Sequence, residues 1–182
     1  MKFNYYLWFF YIIAFPFYVF AEGNPQIADV FGGLIILSSI RPILQNLTKN
    51  SFTRYALYFV VYALIVNTIW MIILKDLIII KYSIFYLYSF LFAVFIYLNI
   101  NDKKFLQLTF TAILISLITQ LVLWPFNQKL GGRVHMYFNN PNQLALWGVC
   151  LLVILNSIHI LKKQRFSLVL AGSVLATFMV FL

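Results

Sequence analysis

The sequence predicts an all-α integral membrane protein, a polytopic bundle of about seven transmembrane helices in a single domain over residues 1–182. Hydrophobic residues make up 64% of the 182 residues and charged residues only 9%, and the mean hydropathy is +0.94. A soluble domain is about a quarter charged, so this chain has too little polar surface to cover a water-soluble globule. The apolar runs are long and lack strand alternation, which favours helices over a membrane β-barrel.

Seven apolar segments support this fold class, and most approach the ~20 residues that cross a bilayer. The second segment is the shortest and contains Asp29 and two glycines, so it is either a span or a broken helix. The first segment also resembles a signal peptide that is cleaved after Ala21, but the spans that follow favour a first membrane helix. The segments are Tyr5–Ala21, Gln26–Ile40, Tyr55–Leu74, Tyr82–Ile100, Phe105–Trp124, Gln143–Ile160 and Phe166–Leu182.

The lysines and arginines predict a cytoplasmic N-terminus. In that orientation nine of them fall in cytoplasmic stretches and four in outer stretches, as the positive-inside rule requires. This topology and attraction to anionic lipid explain the net charge of +9, and nothing in the sequence indicates nucleic-acid binding. The cytoplasmic cations are Lys2, Arg41, Lys49, Arg54, Lys103, Lys104, Lys162, Lys163 and Arg165, and the outer ones are Lys75, Lys81, Lys129 and Arg133.

The sequence contains no motif for a metal ion, a nucleotide or another cofactor, and we expect none. Cys150 is the only cysteine, so no Cys-x-x-Cys metal site exists, and we interpret it as a small buried apolar residue. Glycine-rich phosphate loops, nucleophile elbows and His-Glu-x-x-His zinc motifs are also absent.

Polar residues recur on one face of the fifth segment. Thr109, Ser116 and Gln120 are spaced by seven and four residues, which places them near one face of a helix. They either line a polar groove that leads to the loop after this segment, or they form hydrogen bonds between helices. The second role is the commoner one for such residues in membranes.

The most informative stretch is the polar break between the fifth and sixth segments, the predicted outer loop 125–142. Lys129 and Arg133 are its only cations, and it contains no acid. They are either ordinary loop charges or part of a site for an anion. His135 has a pKa range suited to a general base, but no partner that would orient it is visible, so we interpret it as a loop residue.

The end of this loop predicts where the sixth helix begins. Asn140 is a favourable N-cap, and Pro141 is favourable at the first helical position, so the helix should begin at Pro141. Its free N–H groups and Arg133 would then form a cradle for a diphosphate. Asn142 belongs to the same helix start, and Asn139 and Gln143 add neutral donors. Simple capping without a ligand is the alternative.

These residues resemble a motif of integral-membrane O-antigen ligases and O-antigen or exopolysaccharide polymerases, R-x-x-G-x-x-G-N-P-N-x-L-A. The match runs with unaltered spacing through Arg133, Asn140, Pro141, Asn142, Leu144 and Ala145. Two positions depart, because Met136 and Asn139 stand where the family has glycine. The motif precedes a membrane helix in the family, as it does here.

The resemblance implies an enzyme of the bacterial inner membrane that transfers a glycan from a polyprenyl-diphosphate donor to the hydroxyl of an acceptor glycan or glycolipid. It implies that Arg133 and the start of the following helix bind the lipid diphosphate, without a metal or cofactor. Family members are longer, so we expect this chain to correspond to their N-terminal portion and the general base to lie in the later half. The alternatives are a non-catalytic membrane protein, such as a transporter subunit or assembly partner, and an inactive truncated remnant.

Overall fold

The computed structural model describes residues 3–20, 25–123, 129–130, 133–134, 138, 141–162 and 166–181. Within them the chain forms seven α-helices and one hairpin of two-residue strands, so the predicted all-α class is confirmed. The helices are α1 Phe3–Ala14, α2 Ile27–Asn46, α3 Ser51–Leu74, α4 Ile78–Asn99, α5 Lys103–Leu123, α6 Pro141–Lys162 and α7 Phe166–Phe181. The strands β1 Lys129–Leu130 and β2 Arg133–Val134 lie between α5 and α6.

Four of these helices, α2 to α5, are long and apolar enough to cross a membrane by their length and composition. The prediction of a helical membrane protein is confirmed at that level. α1 and α7 are shorter, with 12 and 16 residues. The predicted segment ends at Ala21, Trp124 and Leu182 lie outside the described residues. Cys150 was expected to be buried but is exposed.

The first predicted segment is wrong in its second half, because α1 ends at Ala14. Pro16 is the physical reason, since a proline disfavours the helical conformation of the residue before it and donates no hydrogen bond. Residues 17–20 continue without helical structure. At 1.5 Å per residue, α1 is about 18 Å long, which is less than the roughly 30 Å thickness of the hydrocarbon core.

The second predicted segment is wrong in its length. α2 is one continuous helix of 20 residues and passes Ile40 by six residues, so the broken helix is not found. Pro42 lies inside it and offers no N–H to the Ser38 carbonyl one turn earlier. At its start, the Asp29 carboxylate accepts a hydrogen bond from the backbone N–H of Gln26 at 2.7 Å. This contact is one half of a capping box.

The described residues group into two compact units. The second unit, Gly33–Ile100, is continuous in sequence and contains the hairpin of α3 and α4. The amide of Asn67 donates to the Ser83 hydroxyl at 3.0 Å, and the rings of Phe59 and Tyr86 are 5.8 Å apart. These pairs show that the two helices run antiparallel.

The first unit comprises Met1–Gly32 and Asn101–Leu182 and contains α1, α5, α6 and α7. Its last three helices meet at Gly172 on α7. A Cβ atom there would lie 2.9 Å from Leu114 on α5 and 3.0 Å from Leu155 on α6. Glycine therefore permits the close approach of all three helices.

Candidate functional site

The predicted site residues lie on the β-hairpin and the start of α6, to the extent that the structure describes them. α6 begins at Pro141, as predicted, and Asn142 and Gln143 are its second and third residues. Gln143 is partly buried. His135, Asn139 and Asn140 lie outside the described residues.

The two cationic residues of the loop lie in the two strands of the hairpin. Lys129 is in β1 and Arg133 is in β2, and the antiparallel register pairs Leu130 with Arg133 and Lys129 with Val134. The two cations therefore occupy different cross-strand pairs. Arg133 is closer in sequence to the start of α6 than Lys129 is.

Aromatic contacts attach this part of the chain to the end of α1. Phe138 is only 3% exposed, and its ring lies 5.6 Å from that of Tyr18. The ring of Phe15 stacks on Trp147 of α6 at 4.7 Å. The segment 15–20 after α1 therefore contacts both the residues just before α6 and the second turn of α6.

Gln26 holds that segment in place. Its side-chain oxygen accepts hydrogen bonds from the backbone N–H groups of Val19 and Phe20 at 3.0 and 3.1 Å, and its nitrogen donates to the Phe20 carbonyl at 3.0 Å. Gln26 is only 7% exposed, so these bonds satisfy backbone groups that lost their helical partners when α1 ended. Sequence reasoning missed this role. The Gln-x-x-Asp spacing at the start of α2 was the available signal.

The helices α1 and α5 are joined by two hydrogen bonds between side chains. The Tyr5 hydroxyl donates to the Asp102 carboxylate at 2.6 Å, and the Trp8 indole N–H donates to the Thr109 hydroxyl at 2.7 Å. The contacts advance in the same direction along both chains, so the two helices are parallel. For Thr109, the predicted role in bonding between helices is confirmed.

Ser116 and Gln120 share the helical face of Thr109 but not its environment. They are 1% and 0% exposed. Within the part of the chain that the structure describes, neither the Ser116 hydroxyl nor either amide atom of Gln120 has a hydrogen-bond partner. An unsatisfied buried polar group lowers the stability of the fold by roughly 1–3 kcal/mol. We therefore expect both side chains to form hydrogen bonds to a partner such as water or a bound ligand.

The end of α1 explains where these unpaired groups lie. Trp8 is level with Thr109, and α1 continues for six more residues, which brings its end level with about residue 115 of α5. Ser116 and Gln120 therefore lie beside or beyond the end of α1, at the depth where the segment 15–20 begins. The Trp147 indole N–H, which also has no partner among the described residues, belongs to the ring that stacks on Phe15.

Three side chains of the first unit that have no partner among the described residues thus lie at about the depth where α1 ends or beyond it. The Gln120 amide and the Ser116 hydroxyl can each donate and accept, and the Trp147 indole can donate. Such a set suits a ligand rich in hydroxyl groups, or ordered water. The N–H groups in the first turn of α6 favour an anion at the same side of the unit.

Comparison with known protein families, characterised proteins and solved structures finds no match to this chain. The resemblance to the O-antigen ligase and polymerase family therefore rests on the residues between Arg133 and Ala145.

Proposed function

We propose that this chain binds a glycan carried on a polyprenyl diphosphate and takes part in its transfer to an acceptor hydroxyl, as a cell-surface polysaccharide polymerase or ligase. The observation that carries the proposal is the start of α6 at Pro141, eight residues after Arg133. The N–H groups of a helix start and the cation of the family motif then belong to one short stretch of the chain, residues 133–143. Both are chemical partners of a diphosphate.

In the proposed topology the chain crosses the bacterial inner membrane about seven times from a cytoplasmic N-terminus. The parallel packing of α1 and α5 supports this topology, because two helices with three crossings between them, α2 to α4, run in the same direction. The loop that contains Arg133 then faces outward, where acceptor glycans are found.

In the reaction, the acceptor oxygen attacks the anomeric carbon of the first sugar. A new C–O bond forms as the bond from that carbon to the diphosphate breaks, and the hydroxyl proton passes to a base that we assign to no residue of this chain. Negative charge grows on the leaving diphosphate, and Arg133 and the α6 N–H groups stabilise it there. Electrostatic stabilisation of charge that develops in the transition state is among the largest catalytic effects.

The unpaired groups of α5 give the donor glycan a second set of contacts. Gln120 and Ser116 are buried amide and hydroxyl groups that gain partners when sugar hydroxyls or their bound waters enter. Discrimination by a site of this kind is strong, because an analogue without the hydroxyl leaves the amide unpaired again. A broken second helix would have supported the alternative of a transporter subunit or assembly partner. That support is missing, because α2 is one continuous helix.

Substitution of Arg133 tests the proposal. Loss of one charge-assisted hydrogen bond costs roughly 1.5–3 kcal/mol, so Arg133→Ala should weaken binding of a polyprenyl diphosphate by roughly tenfold to a hundredfold. Arg133→Lys keeps the charge but not the planar fork and should retain part of the affinity. Lys129→Ala is the matched control, since it removes a cation from the paired strand. Equal losses from the two alanine variants would show that the total charge of the loop accounts for binding.

The topology has its own test. In a Cys150→Ser background, a cysteine at Gln128 should react with an impermeant thiol reagent in intact cells and a cysteine at Gln164 should not. The reverse pattern would put the loop in the cytoplasm and would exclude an outer active site. Binding of the lipid diphosphate without glycan transfer, in the presence of acceptor, would favour the non-catalytic alternative.

A further inference from the structure

A groove of about 240 Å³ runs along the hairpin of α3 and α4 in the second unit. Its rims are large side chains that remain exposed, among them Phe52 and Phe59 at 60% and 56%. Between the rims lie the small residues Ala56 on α3 and Ala93 on α4. The groove exists because these alanines leave space that longer side chains would fill.

Two exposed cations lie near the start of α3. Lys49 precedes Phe52 by three residues and Arg54 follows it by two, and both cations are exposed. The sequence contains no Asp or Glu between Asp29 and Asp76. The cations near the start of the groove therefore have no neighbouring acid in their own segment.

The turn that carries Lys49 is held in place by hydrogen bonds. Asn50 caps α3 by accepting from the Thr53 N–H at 2.8 Å, and the Thr53 hydroxyl donates to the Asn46 carbonyl at 3.2 Å. On the first turn of α3, the Arg54 guanidinium lies 5.6 Å from the centre of the Tyr55 ring. Because Asn50 already caps the helix, the side-chain cations are the groups left to attract an anion.

We propose that the groove binds one acyl chain of an anionic phospholipid, whose head group is held by Lys49 and Arg54. The apolar lining suits an acyl chain, and the two cations complement a phosphate. A lipid bound in the groove has its acyl chain along α3 and its head group at the end of the helix. This is the orientation of a lipid in a bilayer. This inference does not depend on the proposed glycan transfer.

A second groove of the same unit provides a comparison. It measures about 270 Å³ and lies between α2 and α4, where its lining includes Gly33 and Leu87. Its lining contains no charged residue, and a Cβ atom at Gly33 would touch nothing within 4 Å. This groove has room for an acyl chain but should not select a head group.

The test measures binding of phosphatidylglycerol and phosphatidylcholine with identical acyl chains to the purified full chain, by native mass spectrometry from detergent. A basic residue at a membrane surface contributes about fivefold to the attraction of anionic lipid. Lys49→Gln with Arg54→Gln should therefore reduce the preference for phosphatidylglycerol by roughly tenfold or more. Lys75→Gln with Lys81→Gln removes the same charge at the other end of the hairpin and should leave the preference in place.

Filling the groove tests the other half of the proposal. Ala93→Leu and Ser89→Leu replace exposed lining residues, so the helices can still fold. Both variants should bind phosphatidylglycerol several-fold more weakly, whereas Gly33→Leu, which fills the second groove, should not. The proposal is overturned if both charge pairs have equal effects, if the groove-filling variants bind like the parent, or if the parent binds both lipids equally.

Discussion

The two halves of α5 present the same kinds of side chain on one face, but they are hydrogen-bonded differently. In the first half Thr109, like Asp102 just before the helix, accepts a hydrogen bond from an aromatic side chain of α1. In the second half, Ser116 and Gln120 are equally buried, yet none of the described residues pairs with them. The difference coincides with the end of α1, which is level with about residue 115 of α5. Polar residues on one membrane helix can therefore have a structural role at one end and be available for binding at the other.

The largest expected effect is at the paired end, from Asp102→Ala. This change removes the acceptor of the Tyr5 hydroxyl and also the N-cap of α5, where Asp102 accepts from the Lys104 N–H at 2.8 Å. The free energy of unfolding in mixed micelles should fall by about 2–4 kcal/mol. Asp76→Ala is the control, since Asp76 accepts from the Ile78 N–H at the start of α4, and its loss should cost only about 0.5–2 kcal/mol. Equal losses would mean that the bond to Tyr5 contributes nothing.

Thr109→Val should have the next largest effect. Valine has nearly the same shape, so the main change is that the buried Trp8 N–H loses its acceptor, at a cost of about 1–3 kcal/mol. Thr119→Val is matched to it, because the Thr119 hydroxyl is exposed and bonds only to the Ile115 carbonyl of its own helix. The control should change the free energy of unfolding by about 0.5 kcal/mol or less. A similar loss in both variants would remove the distinction between a contact within α5 and one between helices.

Gln120→Met should have the smallest effect and the opposite sign. Methionine has a similar length and carries no strong hydrogen-bonding group, so the variant should be as stable as the parent or about 1 kcal/mol more stable in the absence of ligand. The free energy of unfolding is again measured in mixed micelles. Destabilisation by a kilocalorie or more would show that a bound water already satisfies the amide, and the contrast between the two halves of α5 would then fail.

The features that the sequence predicts correctly depend on local chemistry. The start of α6 follows from the preference of Asn and Pro for the first positions of a helix, and the shared face of Thr109, Ser116 and Gln120 follows from helical spacing. Which of the three is paired depends on where α1 ends. The apolar composition continues through Pro16, so hydropathy alone extended the first helix too far.

The remaining features depend on contacts between distant parts of the chain. Nothing near Tyr5 or Trp8 in sequence indicates that their partners are Asp102, just before α5, and Thr109 on α5. The role of Gln26 depends on backbone groups left free when α1 ends early, which a hydropathy pattern does not reveal. For the candidate site, the arginine motif predicts a ligand class, but the contribution of α5 becomes visible only once the unpaired groups are located.

The order of synthesis adds a consequence of the bonds between α1 and α5. Their partners are separated by 97 and 101 residues, which at ribosomal speeds of about 5–20 residues per second corresponds to a delay of roughly 5–20 s. The continuous second unit is translated during that interval, whereas the first unit needs both ends of the chain. During that interval the Tyr5 hydroxyl and the Trp8 indole therefore remain in the membrane or the translocon without these partners. A pause or premature arrest before α5 would leave an early helix with polar groups available to the quality-control machinery.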